Sequence, residues 1–198
     1  LINPFFLSML GSITRASAAR GYDLLISFQQ FSEDWQADYE DANRADGIIF
    51  LGYGDYVTYS EKLTRLDAAG AHYITWGLVL EGQPGMFIGC DNFNAALTAT
   101  RHLISLGRRR IAFIGDISER SPEFLQRYRG YLAALEEAGI DADPLLQVDA
   151  ETSEDAGYNA ALLLQQRNAS LDGLFGASDL IAIGAMKAFQ EAGVAIPE

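Results

Sequence analysis

With 198 residues, 49% of them hydrophobic, and 27 acids set against 14 bases, the chain is long enough for one or two domains with a real core and carries a formal charge of −13. That charge makes it by itself a poor electrostatic partner for DNA or RNA, and its longest apolar runs, such as residues 48–51, are far too short to span a bilayer. The single cysteine, Cys90, excludes an internal disulfide and a cysteine-built metal site and suits a reducing compartment, so the cytoplasm is the expected location.

The first residues, Leu1-Ile2-Asn3-Pro4, lack the basic region and long apolar stretch of a signal peptide and read as the end of a strand, so the chain is expected to be a fragment. Residues 5–20 place Phe6, Met9, Leu10 and Ile13 at helical spacing, with Gly21 as the stop. Residues 22–28 read as a strand, 34–43 as a weak acidic helix, 47–51 as a buried strand and 56–69 as a helix ended by Gly70. Residues 72–76 form the next strand, 78–85 a glycine-rich loop and 86–90 another strand, which ends at Asp91 and Asn92. The following helix carries Ala96, Ala99, Leu103 and Leu106 and stops at Gly107; residues 111–115 are apolar nearly throughout, as a strand covered on both faces must be. A polar loop ends at Ser121-Pro122-Glu123, a cap followed by proline and an acid in the first turn of a helix that runs to Ala138 and carries Arg127 near its start. Strand 145–148, helix 153–167, strand 174–175 and helix 178–192 complete the order. Strand and helix alternate throughout with short connections, which specifies an α/β architecture with parallel sheets flanked by helices.

Several catalytic patterns fall short in the sequence. The run Gly52-Tyr53-Gly54-Asp55-Tyr56-Val57 lacks the third glycine of a dinucleotide loop, and the next strand ends in Trp76 instead of a ribose-binding acid. Gly176-Ala177-Ser178-Asp179 sits at a strand-to-helix turn, but Leu180 stands where a nucleophile elbow needs glycine, and neither His72 nor His102 follows in the required order. Ser178 is read instead as a helix cap with Asp179 at the positive end of the dipole, a turn still open to ligand contact. Two separated histidines make no metal motif, the sequon Asn168-Ala169-Ser170 is a chance match, and Arg108-Arg109-Arg110 after a helix end is a solvated surface. No cofactor is expected.

Ligands of parallel sheets sit beyond the carboxyl ends of the strands. There the chain offers the Arg127 fork of donors, the acceptors and donors of Asp91 and Asn92, and flat apolar faces from Phe5, Phe6 and Trp76. Aromatic walls with a few convergent polar groups suit a small polar ligand that has an apolar ring face, though each aromatic is equally consistent with core packing.

Asn3-Pro4-Phe5-Phe6, GYDLLIS from Gly21, DGIIF from Asp46, CDNFNAALTATRHLISLGRRRIAFIG from Cys90, RYRGYLAALEEAG from Arg127 and FGASDLIAIGAMKAFQEAGVAIPE from Phe175 are ordered motifs spanning the whole chain. On these the chain resembles the effector-binding domain of LacI/GalR-family transcriptional regulators. The resemblance implies a fold like that of the type I periplasmic sugar-binding proteins: two Rossmann-like subdomains hinged around a cleft, both incomplete here. The crossover is expected near residues 106–109, which makes 1–107 the N-terminal and 108–198 the C-terminal subdomain. The family's helix-turn-helix head, hinge helix and C-terminal continuation with a further ligand-contacting aspartate are expected to lie outside this chain. Carried over by position, the ligand-binding residues would be Asn3, Phe5, Phe6, Asp91, Asn92, Arg127, Ser178 and Asp179, to which the reading of the residues adds Trp76. Trp76-Gly77 stands where many relatives have an Asp-Arg pair, and Thr152 where a ring-stacking aromatic often lies, so the effector is not carried over from any one relative. The implied function is non-catalytic: a carbohydrate effector closes the cleft of a cytoplasmic homodimer whose head binds operator DNA, with no membrane partner. A periplasmic or surface sugar receptor of the same fold and an enzyme on a Rossmann-like scaffold are the rival readings.

Overall fold

The computed structural model describes residues 4–27, 44–52, 56–78, 82–167 and 170–197. Helix α1 (Pro4–Ala18) opens on proline, whose missing N–H would have no helical partner at that position, and buries none of its residues. The chain then builds two three-stranded parallel sheets.

In the first sheet β1 (Ile48–Leu51), β2 (Tyr73–Trp76) and β3 (Met86–Ile88) lie in sequence order. Their register sets Ile48 beside Tyr73, and Phe50 beside Thr75 beside Phe87. Because strand side chains alternate between faces, these residues share one face. Helix α2 (Tyr56–Ala68) covers that face, and Tyr59, Leu63 and Leu66 join Phe50 and Tyr73 in a small core. The Tyr59 ring meets Phe50 edge-on at 5.8 Å.

The second sheet holds the larger core. Strands β4 (Ile111–Ile114), β5 (Gln147–Val148) and β6 (Gly173–Gly176) run in the order β5-β4-β6, accompanied by α3 (Asn92–Ser105), α4 (Pro122–Glu137), α5 (Glu154–Gln166) and α6 (Asp179–Glu191). All four residues of β4 are buried, which accounts for its unbroken apolar sequence: it is paired on both edges and covered on both faces. Phe113 stacks on Phe175 at 5.5 Å and takes Tyr128 of α4 edge-on at 5.0 Å. Full burial of side chains such as Phe113, Ile114, Leu164 and Ile181 contributes about 1.5–3 kcal/mol each. Helices α3 and α4 pack closely, as do α5 and α6, and both contacts run over glycine.

The buried Tyr131 hydroxyl donates to the Ile111 carbonyl oxygen at 2.8 Å, and burial drives its phenol well above the ordinary range. Tyr131→Phe removes the donor and leaves the carbonyl in apolar surroundings. Unfolding free energy should fall by about 1–2 kcal/mol, read as a lower urea midpoint at unchanged slope.

Two expectations are corrected. Residues 22–27 have the apolar composition of a strand but no ladder, with Tyr22, Leu25 and Ile26 exposed. A strand exists through its neighbours' hydrogen bonds, and none of the described strands pairs with this segment. The strand expected over 145–148 shortens to Gln147–Val148 behind a 3-10 turn, Pro144–Leu146. Pro144 has no N–H for a ladder, and the Asp143 carboxylate takes the Leu145 N–H at 3.0 Å, so a turn competes with the sheet. The acidic helix expected over 34–43 lies outside the described residues.

Candidate functional site

A polar contact joins the carboxyl ends of the two sheets. Beyond Trp76 at the end of β2, the Leu78 N–H donates to Glu123 Oε1 at 3.0 Å, in the first turn of α4. An acid belongs there because the helix N-terminus carries positive partial charge. Ser121, expected as the cap of α4, makes no cap hydrogen bond; its hydroxyl donates to Asp116 Oδ2 at 2.7 Å. A charged acceptor outcompetes the helix end. Burial would raise the Asp116 carboxyl, but hydrogen bonds from Ser121 and Ser118 and the charge of Arg120 outweigh it and hold the group below its usual range. The loop after β4 is thereby folded back on itself, ahead of the helix that carries Arg127.

Arg127, half-buried in the second turn of α4, is the side chain around which the candidate site is built. Its Nε donates to Asn92 Oδ1 at 2.9 Å, one terminal nitrogen donates to the Ala177 carbonyl oxygen, and its guanidinium carbon lies 5.3 Å from the centre of the Phe124 ring. Three segments meet on this one side chain: the start of α3, α4 itself and the turn after β6. A guanidinium has five donors, and these contacts use two of them.

Asp91 caps α3, accepting from the Asn94 N–H at 3.0 Å and from the Asn94 side-chain amide at 2.6 Å. Those two bonds, the backbone one foremost, hold its exposed carboxyl below the usual range, so it remains an anion at the strand end. Asn92 is only 3% exposed and its amide is used within the chain. Ser178 caps α6 by accepting from the Ile181 N–H at 3.4 Å, and Asp179 is exposed in the first turn. Phe5 and Phe6 stand in the first turn of α1, 5.6 Å apart and edge-on; Phe5 lies 5.9 Å from Trp76 and is 53% exposed.

The structure therefore brings Phe5, Phe6 and Trp76 together at one place, and Asn92 and Arg127 with the turn of Ser178 and Asp179 at another. Asn3 lies outside the described residues. Glu123, Phe124 and the Ala177 carbonyl were missed in the sequence. Phe124 could have been found, standing three residues before Arg127 on one helix face, whereas a backbone carbonyl carries no sequence signal. The arginine triplet is tied inward at its backbone: the Arg109 and Arg110 N–H groups donate to the Asp172 carboxylate, and the Arg110 side chain pairs with Asp143 at 3.2 Å. Among the described residues no cluster of His, Cys, Asp and Glu is able to hold a metal ion, and no helix is long and apolar enough to cross a membrane.

Residues 100–198 match the family described as periplasmic binding protein-like domain. Over 98% of its length the chain is 29% identical to the HTH-type transcriptional regulator AscG of Escherichia coli, and over 93% it is 30% identical to the regulator RafR of the same species. It spans 58% and 54% of those relatives, respectively. Among solved structures, the complex of the transcriptional regulator CelR with cellobiose superposes with a TM-score of 0.83 at 27% identity, covering 98% of this chain and 60% of that one.

Proposed function

The chain belongs to the periplasmic-binding-protein-like domain family in the form carried by LacI-family transcriptional regulators, and from that premise we propose that it binds a small carbohydrate effector between two subdomains. The observation that carries this reading is Arg127, a cation held at the junction of α3, α4 and the turn after β6 with donors to spare, while Phe5, Phe6 and Trp76 supply apolar ring faces at the ends of the other sheet. A pyranose presents hydroxyl oxygens at its rim and an apolar face, the two surfaces that such walls match. Asp91, Ser178 and Asp179 add acceptors at neighbouring strand ends.

We place the subdomain boundary at residues 89–91, one helix ahead of the crossover that the resemblance implies near 106–109. What supports this is α3, which packs on α4 and sends Leu103 and Ile104 against the second core. Residues 89–91 and the Leu78–Glu123 contact are then where one subdomain moves against the other. In the whole protein an effector that favours the closed pose shifts a two-state equilibrium, which a DNA-binding head reads. The relatives are named as HTH-type regulators and extend well beyond this chain, which supports a head, a cytoplasmic homodimer on paired half-sites, and a role without catalysis.

The test is a thermal-shift panel on the full-length protein with cellobiose and other mono- and disaccharides against purines and amino acids. A ligand at a hundred times its dissociation constant stabilises the native state by about 2.7 kcal/mol. A raised melting temperature with one or a few saccharides is expected. A shift with purines or amino acids alone overturns the carbohydrate reading.

A further inference from the structure

Asn92 stands beside the candidate site, yet little of it is open to a ligand. It is 3% exposed at the first position of α3, where the chain has just left β3. Its Oδ1 accepts from Arg127 Nε at 2.9 Å and from Cys90 Sγ at 3.4 Å, while its Nδ2 donates to the Cys90 carbonyl oxygen at 3.2 Å. The chemistry of the partners fixes this orientation of the amide. An arginine has donors only, so the atom facing it must be the oxygen; a carbonyl accepts only, so the atom facing Cys90 O must be the nitrogen. Aspartate would serve the arginine but set a second oxygen against the carbonyl. Leucine, of similar shape, would serve neither.

We propose that Asn92 is a positioning residue that acts through Arg127. With the Ala177 carbonyl it forms a two-point socket that fixes the plane of the guanidinium and directs its remaining donors. A planar fork recognises oxygens only when its plane is held, because its advantage over a point charge is geometric. The same amide ties the segment leaving β3 to α4, so the orientation of Arg127 and the course of the inter-sheet connection are set by one side chain. The inference rests on Arg127 being the effector-binding cation, but the socket itself is a property of the unliganded protein.

The experiment observes the Arg127 Nε–H by nuclear magnetic resonance in full-length protein carrying nitrogen-15 arginine, the signal being assigned by its loss in Arg127→Lys. In the wild type this proton should exchange slowly with water, in contrast to that of Arg129, whose side chain is exposed. In Asn92→Leu the exchange should accelerate roughly tenfold or more, the factor that one charge-assisted hydrogen bond carries, and Asn92→Asp should retain the protection. A folded Asn92→Leu protein with wild-type exchange overturns the proposal. If Asn92→Leu does not fold, Asn92→Asp decides: retained protection supports the socket, and exchange as fast as that of Arg129 overturns it. No effector is added, so failure of the carbohydrate reading leaves this outcome intact, and failure here leaves the carbohydrate reading standing.

Discussion

Arg127→Ala is expected to weaken effector binding by roughly tenfold to a hundredfold or more, since a hydrogen bond to a charged group in a desolvated cleft contributes about 1.5–3 kcal/mol and each 1.4 kcal/mol is tenfold in affinity. The alternative role, a surface ion pair with a carboxylate, would cost at most about 1 kcal/mol of stability and leave affinity unchanged. Among the described residues its hydrogen bonds go to neutral oxygens, Asn92 Oδ1 and the Ala177 carbonyl, and no carboxylate pairs with it, which favours the first role. Truncation also strands those two acceptors, so some loss of stability accompanies the loss of affinity, and the variant must first be shown to be folded. Calorimetric titration with the effector found in the thermal-shift panel gives the dissociation constant. Lysine should rescue little, because an ammonium cannot hold Asn92 and Ala177 and still present a planar fork to the ligand. Unchanged affinity in folded Arg127→Ala would mean that the site has been misplaced.

Gly184→Ala should be the most damaging one-carbon change in the molecule's second core. In an isolated helix this substitution helps by about 1 kcal/mol, because glycine loses more backbone freedom on folding than alanine. At position 184, within α6, the added carbon would lie 1.9 Å from the Glu154 carbonyl oxygen and 2.8 Å from the Tyr158 nitrogen, both backbone atoms of α5. Backbone cannot rotate away as a side chain does. The two helices must separate along their contact, and Gly157 on α5 is under the same constraint, its own added carbon falling 2.2 Å from the Ile181 carbonyl oxygen. Overpacking of this kind costs about 3 kcal/mol or more, which outweighs the helix gain and lowers the melting temperature by roughly 5–10 °C. Gly11, in the middle of α1 with nothing within 4 Å of an added carbon, provides the control. Gly11→Ala should be neutral or stabilising by up to about 1 kcal/mol. Equal melting temperatures for the two variants would rule out the close approach of α5 to α6.

The amino-acid sequence by itself determined the alternation of strand and helix, because apolar periodicity, caps and stops act within a few residues. Ser178 caps the helix it was expected to cap, the helix expected from residue 153 begins at a Ser153 cap, and residues 111–114 form the buried central strand that their composition demands. The family resemblance was legible for the same reason, in ordered motifs built around turns and helix starts. Tertiary structure decided the rest. Ser121 donates to Asp116 instead of capping its helix, residues 22–27 have strand composition but pair with none of the described strands, and α3 packs on α4 and sends Leu103 and Ile104 against the second core. Asn92 and Ala177 reach Arg127 across 35 and 50 residues of sequence. A capping bond or a helical stripe is made between near neighbours, whose geometry the local backbone conformation sets. Which oxygen meets a guanidinium from a distant segment depends on how whole helices pack, and that follows from the summed volumes of the core and from where glycines let backbones touch.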